Sequence, residues 1–101
     1  MIKTYLALRK LLSDAIARGC GGSCVYTWGE LVSVMVQAGI AYSTVHYITM
    51  LLISKGVMVK MDKSTYSVDV GKLKEYITNL EKSNRNLARL IEMIKTIPYE
   101  S

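Results

Sequence analysis

From Leu31 to Ser54 the chain carries no Asp, Glu, Lys or Arg. A stretch of that length must either cross a membrane or be withdrawn from water by the rest of the chain. A spanning helix needs about 20 predominantly apolar residues, so length alone permits it. Composition argues the other way. Gly39 interrupts the stretch, with Ser43 and Thr44 close behind, a turn pattern between two helices. Gln37, Tyr42, His46 and Tyr47 would carry polar groups into hydrocarbon. Both flanks also bear the capping signals of short helices. The expectation is two short helices buried within one domain, and no membrane partner.

The whole chain has 101 residues, half of them hydrophobic, enough for one domain with a single core. The net charge of +5 favours anionic partners mildly. It is unevenly spread. Lys3, Arg9, Lys10 and Arg18 face only Asp14 before residue 25, and the segment from 25 to 69 is neutral. The opening MIKTYLALRKLL is too charged for a secretory signal, so an intracellular, cytoplasmic location is expected.

Residues 2–18 read as an amphipathic helix, with Tyr5, Leu8, Leu12, Ala15 and Ile16 on its apolar side and Gly19 as its stop. Val25 and Tyr26 predict a very short strand. Thr27 and Glu30 have the spacing of a capping box, flanked by Tyr26 and Leu31 as a hydrophobic staple. A helix is predicted over 28–38, facing the core with Leu31, Val32, Met35 and Val36. A third follows over 43–55, with Val45, Ile48, Leu51 and Leu52 inward and Gly56 at its end. VMVKM and TYSV alternate around DKS and predict a hairpin. Asp69 caps a last helix, expected over 70–97 and ended by Pro98.

This order resembles the winged helix-turn-helix family of DNA-binding domains. The resemblance is carried by TWGELVSVMVQAGIAYSTVHYITMLLISKGVMVKMDKSTYSV, residues 27–68, in which STVHYITMLLISKGVM is similar to a recognition helix running into the first wing strand. It is also similar to small basic archaeal winged-helix proteins with a C-terminal pairing helix, including ones from crenarchaeal viruses; for a viral chain the location would be the host cytoplasm. The resemblance implies a mainly α fold with a small β-hairpin wing (α+β), a winged-helix domain over 1–69 and a dimerisation helix over 70–101. It implies double-stranded DNA as partner. Ser43, Thr44, His46 and Tyr47, with Met50 next along, would enter the major groove, where the tyrosine ring edge can meet thymine methyl groups. Lys60 and Lys63 of the wing would contact phosphate. The third helix contains no Arg, so the basic residues of the first and last helices would supply much of the phosphate attraction.

The C-terminus carries a heptad seam. In GKLKEYITNLEKSNRNLARLIEMIKTIP, residues Leu73, Ile77, Leu80, Asn84, Leu87, Ile91 and Ile94 alternate spacings of four and three. With Ile77, Asn84 and Ile91 at position a, the remaining four fall at d, a pattern for two strands in which the buried Asn sets register. A helix over 70–97 would extend about 42 Å, longer than a small domain is wide, so homodimerisation is expected. The alternative is that the seam packs on helix 1 of its own chain. Whether paired helices would run parallel or antiparallel stays open.

Cys20 and Cys24 flank Gly-Gly-Ser. Free thiols are the default inside a reducing cell; a disulfide, within or between chains, is the alternative. Two cysteines and one histidine are too few for a zinc site in one chain, and no catalytic constellation is evident, so neither metal, cofactor nor enzymatic activity is expected. Two functions follow: a homodimeric sequence-specific DNA-binding regulator of transcription, or a protein–protein adaptor built on the same scaffold.

Overall fold

The structure, a computed structural model, describes residues 2–83. Its elements are α1 (Ile2–Ala17), β1 (Ser23–Thr27), α2 (Trp28–Gln37), α3 (Tyr42–Ser54), β2 (Met58–Lys60), β3 (Thr65–Asp69) and α4 (Val70–Ser83). This is an α+β fold, four helices around a small antiparallel sheet of order β1-β3-β2. The element order is the expected one. No single described helix is long and apolar enough to cross a membrane; α2 and α3 are bent by 113° at the break between them.

The helix ends follow the local chemistry of the chain. The Gly39 amide donates to the Val36 carbonyl and the Ile40 amide reaches back to Met35, closing α2 in a Schellman motif. Gly39 takes φ 88°, where a side chain would be strained. Gly56 ends α3 in the same way, with φ 76° and the Val57 amide on the Leu52 carbonyl. At the other end of α2, Thr27 Oγ1 accepts from the Glu30 amide (3.1 Å) while Glu30 Oε1 accepts from the Thr27 amide (2.9 Å). The Lys72 amide donates to Asp69 Oδ1, so Asp69 starts α4 as expected.

The strands alternate. Cys24, Tyr26, Tyr66, Val68 and Met58 point into the core, whereas Val25, Ser67 and Val59 form an outward row, with Ser67 paired to each valine. The helices cover the inner face. α1 packs against both α2 and α4, and this sandwiching turns its buried stripe to Tyr5, Ala7, Leu8, Leu11 and Ala15. Leu12 is therefore only half-buried and Ile16 is exposed, contrary to expectation. On α2, Val34 rather than Val36 completes the inward face with Leu31 and Met35. On α3 the stripe is Val45, Ile48, Thr49 and Leu52, and Leu51 is half-buried.

Two polar clusters, a disulfide and a backbone hydrogen bond tie these layers together. Tyr5 donates to Glu81 (2.6 Å) and accepts from Arg9 (2.6 Å), joining α1 to α4. Tyr26 donates to Asp14 (2.7 Å), and Arg18 lies over the Tyr26 ring while pairing with Asp14 at 2.8 Å. Burial and then the Asp14 carboxylate push the Tyr26 hydroxyl well up, so it stays a donor. Cys20 and Cys24 are joined as a disulfide, Cα atoms 5.5 Å apart, in place of the free thiols taken as the default. That bridge ties the end of α1 to β1, and the Gly22 carbonyl between them accepts from the Val70 amide at the start of α4.

The heptad seam divides. Leu73 and Ile77 are buried, 0% and 4% exposed, in the chain's own core. They pack with α1 in that core, the alternative left open by the sequence. The core runs unbroken from α1 to Ile77, across the expected boundary at residue 69. Leu80 is half-buried; Asn84, Leu87, Ile91 and Ile94 lie outside the described residues.

Candidate nucleic-acid interface

The start of α2, the first two turns of α3 and the hairpin meet at one residue, Trp28. Its amide donates to the Ser64 carbonyl at 2.8 Å, pinning the hairpin to α2. Its indole N–H donates to the Tyr42 hydroxyl at 3.1 Å. Its ring meets Tyr42 and His46 edge-on, with centroids 6.3 and 6.1 Å away, and lies tilted against Tyr66 of β3 at 6.0 Å. Aromatic pairs at such distances add about 0.5–1.5 kcal/mol each beyond burial. Several together hold α3 against the hairpin.

This arrangement leaves the outer face of α3 exposed. Ser43, His46, Tyr47 and Met50 are open to solvent and Thr44 is half-buried. His46 lies toward Trp28. Tyr47 lies toward α4, where burial and then the nearby Tyr47 hydroxyl push the Tyr76 hydroxyl up. The four expected residues thus share one helix end but flank it on two sides. α3 begins at Ala41, which offers no side-chain cap.

The hairpin turn is built by an acid. Asp62 Oδ1 accepts from the amides of Ser64 and Thr65, both at 3.0 Å, and the Met61 amide donates to the Thr65 carbonyl. The Thr65 hydroxyl, followed by the Ser64 amide, holds the Asp62 carboxyl below its ordinary value. Asp62 is therefore a brace for the turn that presents Lys60 and Lys63, both exposed and without an ion pair among the described residues.

The basic residues of α1 are less available than expected. Arg9 lies 3.7 Å from Glu81, and Arg18 pairs with Asp14 and reaches Glu30 at 3.7 Å. That leaves Lys3 and Lys10 as the cations of α1 without an ion pair among the described residues. Elsewhere, Lys55 and Lys72 line an open groove of about 280 Å³ with Val57, Glu75, Tyr76 and Asn79. Among the described residues no cluster of three His, Cys, Asp or Glu could hold a metal ion.

Trp28, Tyr42 and Tyr66 escape the sequence reading. They come from three elements, so no periodicity connects them, and the only signal is the aromatic content around the capping box and the start of α3. Compared with protein-family models, with curated proteins and with solved structures, the chain matches none.

Proposed function

We propose that the protein is a homodimeric, sequence-specific double-stranded DNA-binding protein of winged helix-turn-helix type that regulates transcription. The observation that carries this reading is the Trp28 clasp, which fixes an exposed helix end beside an exposed, lysine-bearing hairpin. Two elements are then offered to one duplex at a set spacing. The bend of 113° between α2 and α3 lies within the range of helix-turn-helix pairs, about 90–120°. Ser43, Thr44, His46 and Tyr47 read the major groove, and Lys60 and Lys63 hold phosphate.

Pairing doubles the number of half-sites and offsets the modest charge of one head. In this reading the dimer seam starts at Leu80 and continues through Asn84, Leu87, Ile91 and Ile94, since Leu73 and Ile77 are committed to the core.

A titration of labelled duplex pools with the full chain tests this. A dimer making 6–10 phosphate contacts should lose about 10³–10⁵ in affinity between 50 and 200 mM salt. Lys60→Ala with Lys63→Ala should weaken all sequences alike, whereas His46→Ala with Tyr47→Ala should relax sequence preference; matching effects would reject the division of roles. The adaptor is the second reading, favoured by the exposed Tyr42, Tyr47 and Met50 on a helix with no cation on its outer face. No duplex binding at low salt would select it.

A further inference from the structure

The exposed residues of α3 define which bases it can read. Specific recognition in the major groove uses a short chemical code: Arg or Lys bidentate to guanine, Asn or Gln bidentate to adenine, Asp or Glu accepting from the cytosine amine, and apolar contact with the thymine methyl. The outward face of α3 presents Ser43, His46, Tyr47, Met50 and Ser54, beside the exposed Tyr42 at its start. None belongs to the first three classes. Lys55, the nearest cation, lies past the far end as the C-cap.

What this face does offer is apolar area. Tyr47 is 63% exposed and Met50 50% exposed, one turn apart on the same side. Pressed against a floor of G·C pairs, they would strip water from amine and carbonyl groups and supply no matching fork of hydrogen bonds. Against A·T pairs, the thymine methyl meets the ring edge and the thioether, and His46 or Ser43 supplies single hydrogen bonds beside it. His46 and the start of α3 are held in place by Trp28, so the face is fixed before any ligand arrives.

We propose that the outward face of α3 selects A·T-rich duplex DNA, reading the thymine 5-methyl group through Tyr47 and Met50 in place of a bidentate hydrogen bond. This inference rests on the DNA-binding function proposed above and assigns it a class of target.

The test uses the full chain and three labelled duplex pools of equal length: A·T pairs with thymine, the same pairs with uracil in place of thymine, and G·C pairs. The thymine pool should bind tightest, the uracil pool about fourfold more weakly per methyl buried, and the G·C pool weakest. Tyr47→Ala with Met50→Ala, at exposed positions that leave the core intact, should bring the thymine-to-uracil ratio close to one. Equal binding of all three pools overturns the proposal but leaves DNA binding standing. A thymine-to-uracil ratio that survives in the double variant also overturns it, because discrimination then lies in duplex shape. No binding of any pool at low salt overturns the DNA-binding function itself, and this inference with it.

Discussion

The two helices of the bent pair begin in opposite ways. α2 starts behind a complete capping box, with Thr27 and Glu30 satisfying each other's amides, and Trp28 bonded to the hairpin. α3 starts at Ala41 with no side-chain cap and no acid in its first turn. The inward face of α2 is wholly apolar, whereas α3 buries a hydroxyl, Thr49, whose oxygen has no hydrogen-bond partner among the described residues. The stronger start thus belongs to α2, and the uncapped start and the unpaired hydroxyl belong to α3. With no side-chain cap, the Thr44 amide turns back to the Ala41 carbonyl, and the Tyr42 and Ser43 amides have no capping side chain.

The largest effect expected from probing this contrast comes at Thr49. Thr49→Val keeps the shape and removes the unsatisfied oxygen, and should raise the unfolding free energy by about 1–3 kcal/mol in urea titrations. An unchanged or lower stability would mean that the hydroxyl is satisfied.

Thr27→Ala comes next, with a loss of about 1 kcal/mol. The same box predicts an acid response. The Thr27 amide, with help from Arg18, holds the Glu30 carboxyl below its ordinary value. A depressed folded value means that this contribution is intact above about pH 4.3, the unfolded value, and is lost as pH falls toward the folded one. Glu30→Gln should flatten that part of the stability–pH curve, which Asp62 otherwise supports with the same sign.

Smallest is the gain from Ala41→Ser, about 0.5 kcal/mol, by giving α3 the cap it lacks. If that variant also weakens duplex binding, the open start of α3 is in use; if stability alone changes, the contrast between the two helices concerns folding only.

Much of this fold was legible because its determinants are local. The Thr27–Glu30 box, the glycines that end helices, and the alternation on either side of Asp62 act over a few residues, and each produced the expected element. What stayed illegible depends on partners. Val34 and Val36 are equally apolar, and only the placement of α1 decides which turns inward. A heptad seam has the same spelling whether it meets a second copy or its own α1, so spacing alone could not show that Leu73 and Ile77 are buried in the core. Arg18 reads as a surface cation until Asp14, Tyr26 and Glu30 are seen to surround it. The candidate site was half visible: α3 and the hairpin lysines lie on contiguous segments, while Trp28 joins them only once three elements have folded together.

Trp28 is also the chain's one tryptophan. Half-buried and in contact with a tyrosine hydroxyl and an imidazole, its indole has an emission colour and intensity set by those neighbours. Whatever settles onto the start of α3 must alter their surroundings. The molecule therefore carries a built-in optical gauge, readable without dyes or tags, at the point where α2, α3 and the hairpin converge.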